Sequence, residues 1–230
     1  MAATARDNRN KRTQGKPVPQ TSGLVQPSAV VEWFFRECLT HTLGELAGKP
    51  FELSDWQIKD IIKPLFDTQN TDGTRQYRLC YVEIPRKNGK TNLAAGIALY
   101  CLLADQEPGA YVVSAAADRD QAKLCFDLAA QMVQRSPTLS QLCVVHKNEI
   151  RTHKGGIYKA LSSESATKHG LNCSAIIFDE LHAQPNRELW DTLRTSVGAR
   201  RQPLTFAITT AGHDRDSICW EVHEYASVVS

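Results

Sequence analysis

One short stretch constrains the fold of this chain more than any other: an apolar run at residues 79–84, then a turn, then an apolar helical pattern. The turn, residues 85–91, reads Pro-Arg-Lys-Asn-Gly-Lys-Thr. Such a strand–loop–helix unit directs backbone N–H groups and a helix N-terminus at a phosphate, while a lysine and a hydroxyl complete the site. The sequence therefore predicts a nucleoside triphosphate site in which Gly89 permits close approach, Lys90 supplies charge and Thr91 completes the Mg²⁺ shell.

The turn departs from the full phosphate-loop pattern GxxxxGK[ST], because its first glycine is missing. Ile84 stands at that position, and Pro85, whose φ is fixed, begins the turn. An exposed basic turn joining two elements is the alternative interpretation, and an acidic partner strand later in the chain would distinguish the two. The other loop and helix residues expected to contact the nucleotide are Arg86, Lys87, Asn88 and Asn92.

An acidic partner follows about 90 residues after the turn. The apolar run Ser-Ala-Ile-Ile-Phe, residues 174–178, ends in Asp179 and Glu180. Ligands bind at the carboxyl ends of strands in open α/β sheets. We therefore expect Asp179 to hold Mg²⁺ and Glu180 to orient and deprotonate the attacking water. A helix N-cap is the alternative role for this acidic pair.

Strand and helix patterns alternate through the chain, which predicts right-handed βαβ units and a mostly parallel sheet flanked by helices. Residues 142–147 and 157–161 are predicted to form a hairpin that turns at 153–156, and 162–170 a surface loop. The expected helices cover 28–46, 54–66, 118–135 and 186–197, and Ser28 is expected to cap the first of them. The other expected strands cover 111–115 and 203–210. The last strand ends in hydroxyls placed to sense a γ-phosphate, Thr209 and Thr210, followed by Ala211 and Gly212.

Composition indicates a soluble intracellular protein of one ordinary domain. The net charge of +2 neither requires nor excludes nucleic acid as a partner. Seven cysteines lack a CxxC pair or zinc spacing, which indicates reduced thiols. No apolar run has the length of a membrane span, and the N-terminus lacks the apolar core of a signal peptide.

The two ends of the chain differ from its middle. Residues 1–27 are polar and basic and are predicted to form a flexible arm, which either contacts DNA phosphates or only aids solubility. Residues 217–230 have the pattern of a helix with nothing after it to pack on, as if the chain were cut short.

Taken in order, the motifs resemble the large terminase subunit of tailed bacteriophages. The resemblance covers about residues 50–228 and rests on Trp56-Gln57, Ile-Pro-Arg-Lys-Asn-Gly-Lys-Thr at 84–91, Ile-Ile-Phe-Asp-Glu-Leu-His at 176–182 and Thr-Thr-Ala-Gly at 209–212. It implies a three-layer P-loop NTPase fold of the additional-strand (ASCE), RecA-like class, in which the first glycine of the loop is normally absent. The ATPase domain would cover 28–216, with lead-in helices at 28–66.

The resemblance also implies a role for each motif. Lys90 and Thr91 would be the Walker A pair, Asp179 and Glu180 the Walker B pair, and 209–212 the coupling motif. Gln57 would sense adenine, and Trp56 could stack nearby. The candidates for an arginine finger are Arg86 acting in cis and Arg200, Arg201 or Arg215 acting in trans. Arg215 is favoured for its place just after the coupling motif, but the sequence does not choose among them.

The implied function is an ATPase motor that uses ATP and Mg²⁺ to move double-stranded DNA into a procapsid. The implied partners are the portal protein, the small terminase subunit and further copies of the chain. These copies would form a ring of five on the portal, whereas the isolated domain could be monomeric. The site of action would be the host cytoplasm, outside the mature virion. A nuclease domain would lie beyond the linker helix at 217–230, so we expect no DNA cleavage by this chain.

Two alternatives remain open from the sequence. Asp179-Glu180-Leu181-His182 also fits a DExH helicase or translocase, which would need a second RecA-like domain. A non-hydrolysing scaffold regulated by nucleotide would use Glu180 only as a cap.

Overall fold

A seven-stranded β-sheet organises the fold. The computed structural model describes residues 25–161, 170–212 and 214–229. The strands are β1 (Leu79–Glu83), β2 (Tyr111–Ala115), β3 (Cys143–Val145), β4 (Glu149–Thr152), β5 (Ile157–Leu161), β6 (Ala175–Asp179) and β7 (Leu204–Thr209). Their spatial order is β1-β7-β6-β2-β5-β4-β3. The first five of these pair in parallel, and β4 and β3 extend the sheet in antiparallel fashion.

The helices precede, connect and follow the strands. They are α1 (Pro27–Cys38), α2 (Asp55–Gln57), α3 (Lys63–Asp67), α4 (Lys90–Leu103), α5 (Arg119–Arg135), α6 (Pro137–Ser140), α7 (Glu188–Thr195) and α8 (Ile218–Val229). A π-helical segment, Ile58–Ile62, joins α2 to α3, so the helix predicted over 54–66 is present with one wider turn inside it. No helix in the described parts of the chain is long and apolar enough to cross a membrane.

Two hydrophobic cores cover the two faces of the sheet, because successive strand residues point to opposite sides. Val112 and Ile177 face one core, which contains residues of α1 and α3 to α6. Val113 and Ile176 face the other, which contains residues of α7 and α8. The expected three-layer α/β arrangement is therefore confirmed.

Helix α4, which follows the phosphate-binding turn, is buried on all sides from Leu93 to Leu102. It packs on the sheet from one side and on α1 and α5 from the other. Gly96 makes room for α1, since a Cβ there would lie 2.4 Å from the Phe35 ring. This packing fixes the N-terminus of α4 in place.

The predicted cap and length of α1 were wrong. Pro27 occupies the first turn, so Gln26 is the N-cap, and the Ser28 backbone N–H and hydroxyl instead donate to the Asp67 carboxylate, each at 2.8 Å. The helix stops at Cys38 rather than near residue 46 because the chain becomes extended at the next residue. Leu43, which lies within the predicted range of 28–46, is outside the helix and 67% exposed.

The pairing of the predicted hairpin was also wrong, because residues 143–145 and 157–161 are separated in the sheet by another strand. Strand β3 pairs with β4, which the prediction missed, and β4 pairs with β5 through the expected turn at 153–156. Helix α7 is shorter than predicted at both ends. The arm predicted at 1–27 and the loop at 162–170 fall almost entirely outside the described residues.

Candidate nucleotide site

The predicted phosphate-binding turn lies between β1 and α4. Gly89 is the N-cap of α4 with φ +71°, and Lys87 also has a positive φ of 68°. The Asn88 side-chain amide donates to the backbone oxygens of Pro85 and Arg86, at 3.2 and 3.4 Å, which closes the turn on itself. No side chain caps the N-terminus of this 14-residue helix. Its first N–H groups are therefore left to bind an anion.

Lys90 brings a buried cation to this helix end. Its side chain is 5% exposed, and its Nζ atom lies 3.4 Å from both the Pro85 oxygen and Glu180 Oε1. Charge-assisted hydrogen bonds are usually about 2.7–2.9 Å long, so these two contacts leave the ammonium group weakly bonded. A phosphate oxygen would supply the stronger partner that it lacks.

The end of β6 brings a carboxylate to the same point. The buried Oδ1 atom of Asp179 has no hydrogen-bond partner. Burial raises the pKa of Asp179 to about 6, and the nearby Thr91 side chain offsets part of that rise. The Thr91 hydroxyl and the Asp179 carboxylate, whose buried Oδ1 is unpaired, are oxygen ligands of the kind that Mg²⁺ prefers, so these residues fit the metal.

Glu180 is held in a strained conformation beside this group. Its φ and ψ of 56° and 56° are left-handed, which is uncommon for a residue other than glycine. Its backbone N–H donates to the oxygen of Ile208 at 2.9 Å. Its Oε1 atom faces Lys90, and its Oε2 atom faces the N–H and hydroxyl of Thr210 at 3.3 and 3.4 Å. Both carboxylate oxygens therefore have fixed partners.

The residues of the predicted coupling motif lie beside Glu180. Strand β7 runs between β1 and β6 and ends in Thr209, which is fully buried. The Thr209 oxygen accepts from Ile84 N–H at 3.0 Å. A cleft of about 690 Å³ opens here. It is lined by residues from the end of β1, the phosphate-binding turn, the turn after β6, the coupling motif and the segment after it: Glu83, Ile84, Pro85, Arg86, His182, Thr210, Ala211, Gly212, Asp214 and Ser217.

The residues predicted to recognise adenine lie on α2. Trp56 is 37% exposed, whereas Gln57 is buried. The Gln57 side-chain oxygen accepts the backbone N–H of Ser54 at 2.9 Å in a capping box. Its amide oxygen thus already has a structural partner, and adenine recognition by this residue stays a prediction.

The four candidates for the arginine finger lie in different parts of the fold. Arg200 donates to backbone oxygens just before β2 and β6, at the amino ends of these strands, and Arg201 contacts Asp72 before β1. Neither lies at the carboxyl edge with the phosphate-binding turn. Arg86 is exposed and lines the cleft at that edge, and Arg215 follows the coupling motif with its guanidinium 5.2 Å from the Trp220 ring centre.

His182 belongs to this site, although the sequence alone assigned no role in it to this residue. His182 lies within hydrogen-bond distance of Glu180, Thr209 and Thr210. In the sequence, His182 is only the last residue of the 176–182 motif and of the DExH pattern. The signal that could have found it is the strand pairing, which brings the end of β6 beside the end of β7.

The fold and the site define a P-loop ATPase with a strand inserted between the phosphate-loop strand and the acidic strand. A family model described as "Terminase large subunit, ATPase domain" matches residues 56–228. The chain belongs to this family, which confirms the resemblance and decides against the helicase alternative.

The individual relatives agree with this assignment. The chain is 36% identical over 202 residues to "Terminase, large subunit" of Enterobacteria phage HK97, covering 84% of this chain and 38% of that protein. It is also 44% identical over 52 residues to "Protein YmfN" of Escherichia coli (strain K12), covering 23% of this chain and 11% of that protein. The crystal structure of the HK97 bacteriophage large terminase superposes with a TM-score of 0.76 at 29% identity, covering 89% of this chain and 42% of that one. The chain thus spans less than half the length of the HK97 protein.

Proposed function

We propose that this chain hydrolyses ATP as the motor part of a phage terminase that drives double-stranded DNA into a procapsid. One observation carries the proposal. Lys90 Nζ lies 3.4 Å from Glu180 Oε1, and Glu180 directly follows Asp179 at the end of β6. The phosphate-binding turn and the acidic strand end therefore converge on one point, as hydrolysis of a Mg²⁺-bound triphosphate requires.

The phosphate groups of ATP would lie at the N-terminus of α4. The free N–H groups of its first turn and the weakly bonded Lys90 ammonium bind the phosphate oxygens, and the residues around them are Arg86, Lys87, Asn88, Gly89 and Asn92. Thr91 and Asp179 would hold Mg²⁺, which when bound neutralises phosphate charge. Trp56 and Gln57 are the proposed contacts of the base.

Glu180 is the proposed base for the attacking water. The two oxygens of its carboxylate are oriented by Lys90 on one side and Thr210 on the other. The coupling segment, Thr209 to Gly212, would then transmit loss of the γ-phosphate to moving parts. Arg86 in cis and Arg215 in trans are the proposed sources of further positive charge, which contributes roughly 10³–10⁵ in rate where a finger acts.

The assembly proposed for this motor is a homo-oligomeric ring, with five copies, docked transiently on the portal protein in the host cytoplasm. Double-stranded DNA and the small terminase subunit are its other proposed partners. Membership of the terminase family supports packaging partners in general.

The Glu180→Gln variant tests the proposed chemistry. We expect turnover of ATP to fall roughly 10²–10⁴-fold, because the amide cannot take a proton, while a fluorescent ATP analogue still binds. Glu188→Gln, an exposed change at the start of α7, is the matched control. Unchanged turnover in Glu180→Gln would remove the base role and favour a non-hydrolysing scaffold.

The packaging role needs the full-length protein and procapsids that carry the portal. Protection of DNA from an added nuclease measures packaging. We expect protection with the parent protein and ATP, and none with Glu180→Gln. Protection that persists in the variant would contradict the motor role even if ATP hydrolysis by the parent were established.

A further inference from the structure

His182 connects the end of β6 to the end of β7. It lies in the 3₁₀ turn Leu181–Ala183, and its side chain is 24% exposed. Its Nδ1 atom is 2.9 Å from Thr209 Oγ1, 3.2 Å from Glu180 Oε2 and 3.4 Å from Thr210 Oγ1. One ring nitrogen therefore contacts the proposed base and both hydroxyls of the coupling segment.

The surrounding oxygens assign a proton to Nδ1. The Thr209 hydroxyl donates to the Thr210 backbone oxygen at 2.9 Å, so its oxygen is left to accept. The Glu180 carboxylate has no proton to donate when ionised. A lone pair on Nδ1 would face both acceptors, whereas an N–H satisfies them. His182 thus donates to Glu180 and Thr209 together.

The backbone fixes the imidazole in this position. The His182 N–H donates to Thr209 Oγ1 at 3.1 Å, so Thr209 holds the residue by its main chain as well as by its ring. At the other end of the coupling segment, a Cβ on Gly212 would lie 3.4 Å from the His182 Cβ. Gly212 thus lies next to His182, so the segment runs beside His182 at both ends.

We propose that His182 is a positioning residue for ATP hydrolysis: its Nδ1–H holds the Glu180 carboxylate and ties it to Thr209, so that Glu180 follows movement of the coupling segment. The proposal rests on the proposed function of Glu180. It goes further by naming the group that links the base to the segment. Without the imidazole, Glu180 Oε2 keeps only the long contacts to Thr210 and can leave its place beside the nucleotide.

Three substitutions of one residue test the link. In His182→Ala we expect kcat for ATP to fall roughly 10- to 100-fold, because the base is misplaced, with KM and binding of an ATP analogue little changed. His182→Asn puts an amide N–H near the place of Nδ1 and should recover much of the rate. His182→Gln extends its amide toward the place of Nε2 instead and should not. His153→Ala, at the exposed turn between β4 and β5, is the control.

A double-mutant cycle with Thr209→Val supplies the second readout. If His182 acts through Thr209, the double variant loses no more kcat than His182→Ala alone. The link would be overturned by full turnover in His182→Ala or by equal rates in the Asn and Gln variants. It would also be overturned if the losses of kcat in the two single variants multiplied in the double variant. Absence of turnover in the parent chain would instead overturn the proposed function. Urea denaturation of each variant separates misfolding from these outcomes.

Discussion

Replacing Asp179 with asparagine is expected to stabilise the metal-free protein at neutral pH while it removes the proposed Mg²⁺ ligand. Asp179 is 5% exposed, its Oδ1 has no hydrogen-bond partner, and burial raises its pKa from 3.8 to about 6. An asparagine side chain has nearly the same size and shape as aspartate. It carries no charge that would have to be buried.

The size of the expected stabilisation follows from the pKa of Asp179 in the unfolded chain and in the folded protein. Between pH 3.8 and about 6 the folded protein keeps a proton that the unfolded chain has lost, so the free energy of unfolding falls as the pH rises through this window. About two pKa units correspond to roughly 3 kcal/mol. The asparagine side chain of the variant cannot titrate. The stability advantage of Asp179→Asn should therefore be near zero below about pH 4 and reach roughly 3 kcal/mol above about pH 7.

Urea denaturation with a chelator, from about pH 3.5 to 8, measures this difference directly. Asp60→Asn, an exposed change in the π-helical segment, controls for the general effect of losing a carboxylate. When Mg²⁺ and an ATP analogue are added, we expect the parent protein to become more stable than Asp179→Asn, because only the parent protein gains stability from the metal. A difference between Asp179→Asn and the parent that stays constant across the pH range would refute the reasoning.

Two further substitutions test the scaffold around the site. Asp105→Ala leaves the guanidinium of Arg75 without its carboxylate partner, and both side chains are buried, at 6% and 4% exposed. We expect the free energy of unfolding, measured by urea denaturation, to fall by roughly 3–5 kcal/mol. A loss no larger than that of Asp127→Ala, which removes an exposed ion pair, would contradict this. Gly89→Ala places a Cβ on a residue with φ +71° and should lower stability by roughly 1–2 kcal/mol. Gly198→Ala, without a positive φ, is its control, and equal melting temperatures of the two variants would count against strain at Gly89.

Most of the fold could be predicted from local patterns. The strand at 111–115 and the helix opened by Asp118 were predicted with bounds that agree with the structure to within a residue. The helix has a long periodic apolar pattern, the strand is a short apolar run, and both have clear turn signals at their ends. Strand β4 was missed because Glu149–Thr152 is short and contributes one fully buried residue, Ile150. Its pairing depends on β5 rather than on its own sequence.

The site was predictable as a set of motifs but not as a geometry. Lys90, Thr91, Asp179 and Glu180 come together as the strand–loop–helix logic required. The left-handed conformation of Glu180 could not be predicted, because no local residue preference favours it. It results from contacts with β7, which is adjacent in space but distant in sequence.

The position of β7 explains why hydrolysis and movement could be linked in this fold. On one side, Ile84 N–H, just before the phosphate-binding turn, donates to the Thr209 oxygen at 3.0 Å. On the other side, Glu180 N–H donates to the Ile208 oxygen at 2.9 Å, and His182 bonds the Thr209 hydroxyl. The end of one strand is thus bonded both to the segment that would hold the phosphates and to the residue that would activate water. A shift of this strand end cannot occur without displacing one of them, so the inserted strand is where a change in the nucleotide would first become a change in protein shape.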